Sequence, residues 1–226
     1  MRNTNDSFFH LINKKTKFYM DKRYLVLIND IRVVMKDMNE TNQQILYYAR
    51  NFLQCRGYNG FSYKDISQKL GIKNAAIHNY YPKKEDLIAA LLEDSRKKLA
   101  VDIAQIVESG GSARDQLQYY FDYALKEFDE GKSICPPGSV ILDFEELPEK
   151  VKKQNLLLLD DIMTWISRVL KTGLEQGEFN FSDPVDARAE LIVEALMGAR
   201  QLSSIKGRKT LVRSISLIKS DIGWKD

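Results

Sequence analysis

From Glu40 to the end of the chain, apolar residues recur at steps of three and four, and runs that alternate apolar with polar are few. A chain written this way buries one stripe of each helix and builds its core by packing helices together. The expected fold class is therefore all-α. Punctuation cuts the pattern into pieces. A first helix is predicted over about 41–56, with Ile45, Ala49, Phe52 and Leu53 inward and Gly57 as its stop. Ser62 opens a second helix, with Asp65 three positions on in the place of a capping box, Ile66 and Leu70 inward, and Gly71 ending it. A short third helix covers 74–80 and is closed by Pro82, whose ring cannot continue the ladder.

A longer helix over about 83–107 carries Leu87, Leu91, Leu99, Ile103 and Ile106 on its inner stripe and links the two halves of the chain. Gly110 and Gly111 break it. Another helix over 112–129 presents Leu117, Phe121, Ala124 and Phe128, and 131–138, with Pro136 and Pro137, reads as a loop. The stretch 147–176 reads as a short turn and a long helix bearing Leu159, Ile162, Ile166, Val169 and Leu170. Asp183 before Pro184 predicts the next start, the aspartate capping and the proline taking the first helical position. Gly207 then separates a helix reaching about Ser203 from a last one over 208–219.

No apolar run approaches the roughly 20 residues of a membrane span, and the N-terminus lacks the apolar core and cleavage site of a secretory signal, so the expected location is cytoplasmic. Cys55 and Cys135 are far apart and outside any C-x-x-C pair, and His10 and His78 have no ligand-type neighbours, which argues against a disulfide scaffold, a metal site or a cofactor. Charge is unevenly spread. Residues 1–38 hold 8 Lys+Arg against 4 Asp+Glu, residues 39–99 hold 10 against 6, and residues 100–226 hold 16 against 21. A basic front and an acidic rear suggest one polyanion-binding region and one with another task. Residues 1–38 have no sustained period; they read either as a basic arm or as an upstream extension foreign to the natural product, and are expected to be dispensable for dimerisation.

Two short helices joined at Gly71 describe a helix-turn-helix, whose last helix fits the major groove of duplex DNA. The stretch from Lys73 to Leu87 suits that role: Ala75 and Ala76 permit close backbone approach, Asn74 and Asn79 can pair with base edges or phosphate, and Lys73 and Lys84 add charge. Here the sequence resembles the TetR family of bacterial regulators. Tyr81-Pro82-Lys83-Lys84-Glu85-Asp86-Leu87 is similar to the family's F-x-x-K-[ED]-x-L with tyrosine for phenylalanine, Phe61 to Ser67 to the start of its second helix, and Leu70-Gly71-Ile72 to its turn. The resemblance implies that Ser62, Tyr80 and Lys84 hold phosphates. It also implies that Lys73, Asn74, Ala75, His78 and Asn79 face bases or the groove wall, with Tyr63 counted in the same DNA-binding set. Lys73 in place of a serine cap and His78 in place of a tyrosine depart from the pattern.

The resemblance further implies three regions: the extension 1–38, a DNA-binding unit 39–86, and a helical ligand-binding and dimerisation domain 87–226. It implies a homodimer on a palindromic operator, released by a small-molecule effector. Aromatic residues spread over several helices mark the expected ligand pocket: Tyr120, Phe121, Tyr123, Phe144 and Trp165, with Cys135, Ile162 and Ile166 beside them. Cys135, in a Pro- and Gly-rich loop, is also a candidate redox or electrophile sensor. In the last two helices Val185, Ile192, Leu196, Ala199, Leu211, Ile215 and Ile218 are expected to bury against the partner, with Gly198 allowing close approach. An enzyme is the first rival, but the sequence has no G-x-x-x-x-G-K-[ST] loop and no H-E-x-x-H helix. A helical adaptor that keeps the fold without binding DNA is the second.

Overall fold

Most helices begin where the sequence supplies a carboxylate in the first turn, close to the free amides there. In the computed structural model, which describes residues 40–132 and 134–224, eight α-helices and one 3₁₀ segment follow one another without a strand among the described residues. They are α1 (Glu40–Arg56), α2 (Tyr63–Leu70), α3 (Asn74–Tyr80), α4 (Lys84–Glu108), α5 (Ala113–Asp129), a 3₁₀ segment (Gly138–Glu146), α6 (Glu149–Glu175), α7 (Val185–Lys206) and α8 (Arg208–Asp221). The predicted extension 1–38 lies outside the described residues. At α5 the cap is reciprocal: the Asp115 amide donates to Ser112 Oγ at 3.1 Å and the Ser112 amide to the Asp115 carboxylate at 2.8 Å. At α4 the Lys83 amide donates to Asp86 at 2.9 Å.

Two clusters form the interior. The first gathers Ile45, Ala49 and Leu53 of α1, Ile66 of α2, Ile77 of α3 and Leu87, Ile88, Leu91 and Leu92 of α4, and it continues into Val140, Leu147, Val151 and Leu158. The second joins Leu117 and Phe121 of α5, Ile166 and Leu170 of α6, and the facing sides of α7 and α8. α4 packs along α6, and α6 in turn along α7, so these long helices run between the two clusters. Gly173 is required here: a Cβ on it would stand 2.1 Å from the ring of Phe179, which folds back across α6.

Four expectations need correction. On α6 it is Leu158 that is buried, not Leu159, which is half-exposed. On α4 the inner stripe turns with the 3.6-residue period onto Ala100 and Ala104, leaving Leu99, Ile103 and Ile106 half-buried. Asp183 does not cap α7; its carboxylate pairs with the Arg188 guanidinium, and Pro184 stands at the cap position itself. Finally, Ile192, Leu196, Ala199, Leu211, Ile215 and Ile218 are buried within this one chain, Ile192 at 2% exposed and Leu211 at 0%, because α7 and α8 pack on each other and on α5 and α6. They cannot also face a partner.

Candidate nucleic-acid interface and effector cavity

α3 has seven residues and buries one, Ile77, at 0% exposed. Its outward face carries Asn74, Ala75, His78 and Asn79, spaced i, i+1, i+4, i+5, with Lys73 before it and Tyr80 at its end, all of them outside the core. The turn that presents this face depends on Gly71, at φ +67°, where the backbone is left-handed. Lys64 and Lys69 of α2 are exposed beside it, and their ammonium groups, with that of Lys73, make no hydrogen bond or ion pair with any described residue. Sequence reasoning passed over Lys64 and Lys69, along with the exposed Lys83; short of a structure, nothing separates such lysines from any solvated helix face.

Other residues expected at DNA are turned to structural work. Tyr63 is a core residue, 8% exposed, whose hydroxyl donates to the Tyr81 carbonyl at 2.8 Å. Tyr81 donates in turn to Asn42 Oδ1 at 2.7 Å, and burial pushes its phenol up to about 12, so it remains a donor. Ser62 gives both its donors to Asp65, the amide at 2.8 Å and the hydroxyl at 2.7 Å, so neither is free for a phosphate in this arrangement. Lys84 is half-buried. Its ammonium donates to the carbonyls of Tyr58 and Phe61 and lies 4.3 Å from the Phe61 ring centre and 5.0 Å from that of Tyr58. Burial lowers its pKa, and in this arrangement it fastens α4 to the α1–α2 connection. His78 stays at the surface but is tethered, Nδ1 lying 3.1 Å from the Pro82 carbonyl and the ring edge-on to Tyr63. A carbonyl only accepts, so Nδ1 bears the proton in this contact and Nε2 is left as the acceptor of the neutral ring.

A cavity of about 130 Å³ opens between α1, α4, α5, α6, α7 and the loop before the 3₁₀ segment. Tyr120, Tyr123, Cys135 and Ile162 line it as expected from the sequence. Phe121, Phe144, Trp165 and Ile166 do not. Phe121 and Ile166 are fully buried in the second cluster. Phe144 joins the first cluster, with the Lys152 ammonium 5.8 Å from its ring. Trp165 buttresses the wall from behind, edge-on to Tyr119 and Tyr120, its indole nitrogen donating to Gln116 at 3.3 Å. Cys135 faces the cavity, where burial pushes its thiol above the ordinary value, against the opposing field of Arg200. That environment suppresses the thiolate a redox or electrophile sensor needs.

Nothing in the sequence hinted at the charged part of the lining, because Arg50, Lys98, Asp102 and Arg200 read as solvated helix faces. Arg50 comes from α1, within the DNA-binding half, and donates to Ser95 Oγ at 2.8 Å and to Asp94 at 2.9 Å. Gln54, one turn on, donates to Glu127 of α5 at 2.6 Å and to the Ile134 carbonyl at 3.0 Å. α1 thus touches both the core of the helix-turn-helix and the cavity wall.

Comparison with known proteins agrees with this arrangement. Residues 45–91 match the family described as bacterial regulatory proteins, tetR family. The chain is 25% identical over 146 residues, covering 61% of it and 73% of the relative, to an uncharacterised HTH-type transcriptional regulator of Lactococcus lactis subsp. lactis. Among solved structures it resembles a TetR transcriptional regulator from Legionella pneumophila, with TM-score 0.73, 29% identity, and 82% of this chain and 99% of that one covered. It also resembles a TetR-family transcriptional regulator from Agrobacterium tumefaciens, with TM-score 0.70, 27% identity, and 80% and 93% covered.

Proposed function

The chain belongs to the TetR family of DNA-binding transcriptional regulators, and from that premise we propose that it is a cytoplasmic repressor that grips an inverted-repeat operator as a homodimer and lets go when a small molecule fills its cavity. Residues 39–86 form the DNA-binding unit and 87–226 the ligand-binding and dimerisation region, and the protein acts by binding, without catalysis. The observation that carries the reading is the outer face of α3. Asn74, Ala75, His78 and Asn79 are exposed together opposite the buried Ile77, and Lys64, Lys69 and Lys73 flank them with charges no described residue neutralises. A helix of this shape enters the major groove, its short polar side chains reading base edges while the lysines hold phosphates.

The partner surface of this reading keeps the two helices and the Gly198 that the sequence suggested, but takes their outward side in place of the buried residues expected there. On α7, Leu191, Ala195, Gly198, Leu202 and Ile205 fall on one outward stripe, with Leu202 51% and Ile205 84% exposed, and Val212 and Leu217 of α8 are exposed too. A Cβ on Gly198 would meet nothing within 4 Å. Apolar side chains this open, around a glycine with room above it, suit a second copy packed helix on helix. Fluorescence anisotropy on duplexes from the DNA upstream of the protein's own gene tests the function. Expected is saturable binding to an inverted repeat, with Asn74→Ala or Asn79→Ala costing about 1–3 kcal/mol on that duplex and little on a scrambled one. Equal affinity for operator and scrambled duplex at every salt concentration would overturn it.

A further inference from the structure

The cavity's lining joins an apolar body to a polar part that is richer in cations than in carboxylates. The body is Leu99, Leu158, Ile162, Val193, Leu196 and Met197. Three cationic side chains, Arg50, Lys98 and Arg200, reach the lining against a single carboxylate, Asp102, which already accepts from the Tyr119 hydroxyl. Arg50 and Lys98 share one further carboxylate, Asp94, at 2.9 and 3.0 Å. Arg200, 4% exposed, donates to the Lys132 carbonyl at 3.1 Å, a contact that holds the guanidinium at the wall.

Two hydroxyls complete this side. Tyr120 and Tyr123 line the cavity, and neither hydroxyl makes a hydrogen bond with any described residue. Burial holds both phenols above their ordinary value; the charge acting most on Tyr123 is Glu127, opposed by Arg50, Arg200 and Lys132, while Tyr120 feels Cys135 and, against it, Arg200. Cys135, held as the thiol, adds no negative charge of its own. Two unused hydroxyl donors in a lining that carries three cationic side chains to one carboxylate, next to an apolar space, describe a receptor for an acid group on a small hydrophobic body. The volume limits that body. A void of about 150 Å³ holds benzene, so about 130 Å³ limits the body to about one ring or a branched chain of similar bulk, and the walls must give slightly to seat it with its acid group.

We propose that the effector is a small organic monoanion with a body about the size of one ring, its carboxylate or phenolate bound by the Tyr120 and Tyr123 hydroxyls between Arg200 and Arg50. The inference rests on the reading of this cavity as the effector site, and names what that site selects. A cationic effector would meet three cationic side chains against one carboxylate in the lining, and a neutral one would draw less from the two hydroxyl donors. Because Arg50 stands on α1, an anion that draws its guanidinium from Asp94 loosens a contact between the helix-turn-helix and α4. Release from DNA follows from the same event that recognises the acid.

Titration calorimetry on the full chain with benzoate, benzamide and benzylamine, three probes of one size that differ in charge, tests this directly. Benzoate is expected to bind at least about tenfold tighter than benzamide, with benzylamine weakest, and to lower operator affinity. Tyr120→Phe and Tyr123→Phe each remove one oxygen from the wall; each is expected to shrink the benzoate-to-benzamide ratio several-fold, an effect that mere loss of packing would not produce. If benzamide or benzylamine binds as tightly as benzoate, with either variant altering that binding, the anion assignment fails and the cavity stands as an effector site of another class. Benzoate binding with a ratio untouched by both variants would put the site elsewhere and overturn the proposal. Should none of the three bind at millimolar concentration, both the anion class and the one-ring effector cavity fail.

Discussion

A lysine is a charge on a four-carbon stem, and whether it serves DNA or the fold depends on what lies within reach of that stem. Lys84 finds two carbonyls and two aromatic rings on the α1–α2 connection; Lys73 finds none of these. Lys84→Met should therefore lower folding stability by about 1–3 kcal/mol while leaving the slope of log affinity against log salt where it was. Lys73→Ala should do the reverse, changing urea stability by no more than about 0.5 kcal/mol and reducing the salt slope by about 0.9 per subunit. Denaturation and salt-dependent anisotropy on the two variants decide between the assignments. The helix starts depend on acids as well. Hydrogen bonds from Ser62 hold Asp65 below its ordinary value, a bond from Lys150 does the same for Asp86, and the Ser112 amide for Asp115. A carboxylate depressed in the folded state stabilises above its unfolded value, about 3.9, and that stabilisation is lost as pH falls through the lower folded value. The urea midpoint should stay level down to about pH 5 and drop steeply below about 4, less steeply in Asp65→Asn.

A seven-residue helix is too short to persist in water by its own hydrogen bonds, so α3 exists because Ile77 is seated among α1, α2 and α4. Ile77→Ala removes that seat and should cost about 2–5 kcal/mol, with operator binding lost before the rest of the fold. Hydrogen exchange should show α3 amides opening while those of α6 stay protected; uniform loosening of both would mean that α3 is not an independent weak point. α2 is fixed at both ends by chemistry visible in the sequence, Asp65 at its start and Gly71 past its end. The 3₁₀ segment was not visible. Residues 139–146 fall between the loop read over 131–138 and the turn read from 147, with no local signal of their own, and the helical form of Gly138–Glu146 follows from Val140 and Leu147 being drawn into the first cluster.

For the whole molecule, the outward stripe of α7 and the exposed apolar residues of α8 are the surface proposed for the second copy, on which the symmetry of the proposed operator depends. Leu202→Glu with Ile205→Glu places two charges there without touching either cluster, since both positions are open in the single chain. Sedimentation should find a folded monomer of unchanged helix content, and operator affinity should fall because each half-site is then held alone. A double variant that still sediments as a dimer would place the interface on another face. The two clusters explain how such a monomer stays folded, as neither draws on the residues changed.

The helices and the reading unit were legible from residue order alone, because the features that make them are local. Caps at Ser62 and Ser112, the glycine at 71, the proline at 82 and the 3.6-residue stripe act within a few positions of where they stand. Which face of a helix meets which neighbour is not local. Ile192 and Ile205 are both isoleucines on α7, yet one is 2% exposed and the other 84%, because only the packing of α8, α5 and α6 says which side is already covered. The same holds for the cavity. Arg50 and Arg200 lie 150 positions apart and look like solvated charges until the fold closes α1 and α7 around one space, where burial makes their charge the feature proposed to select a ligand.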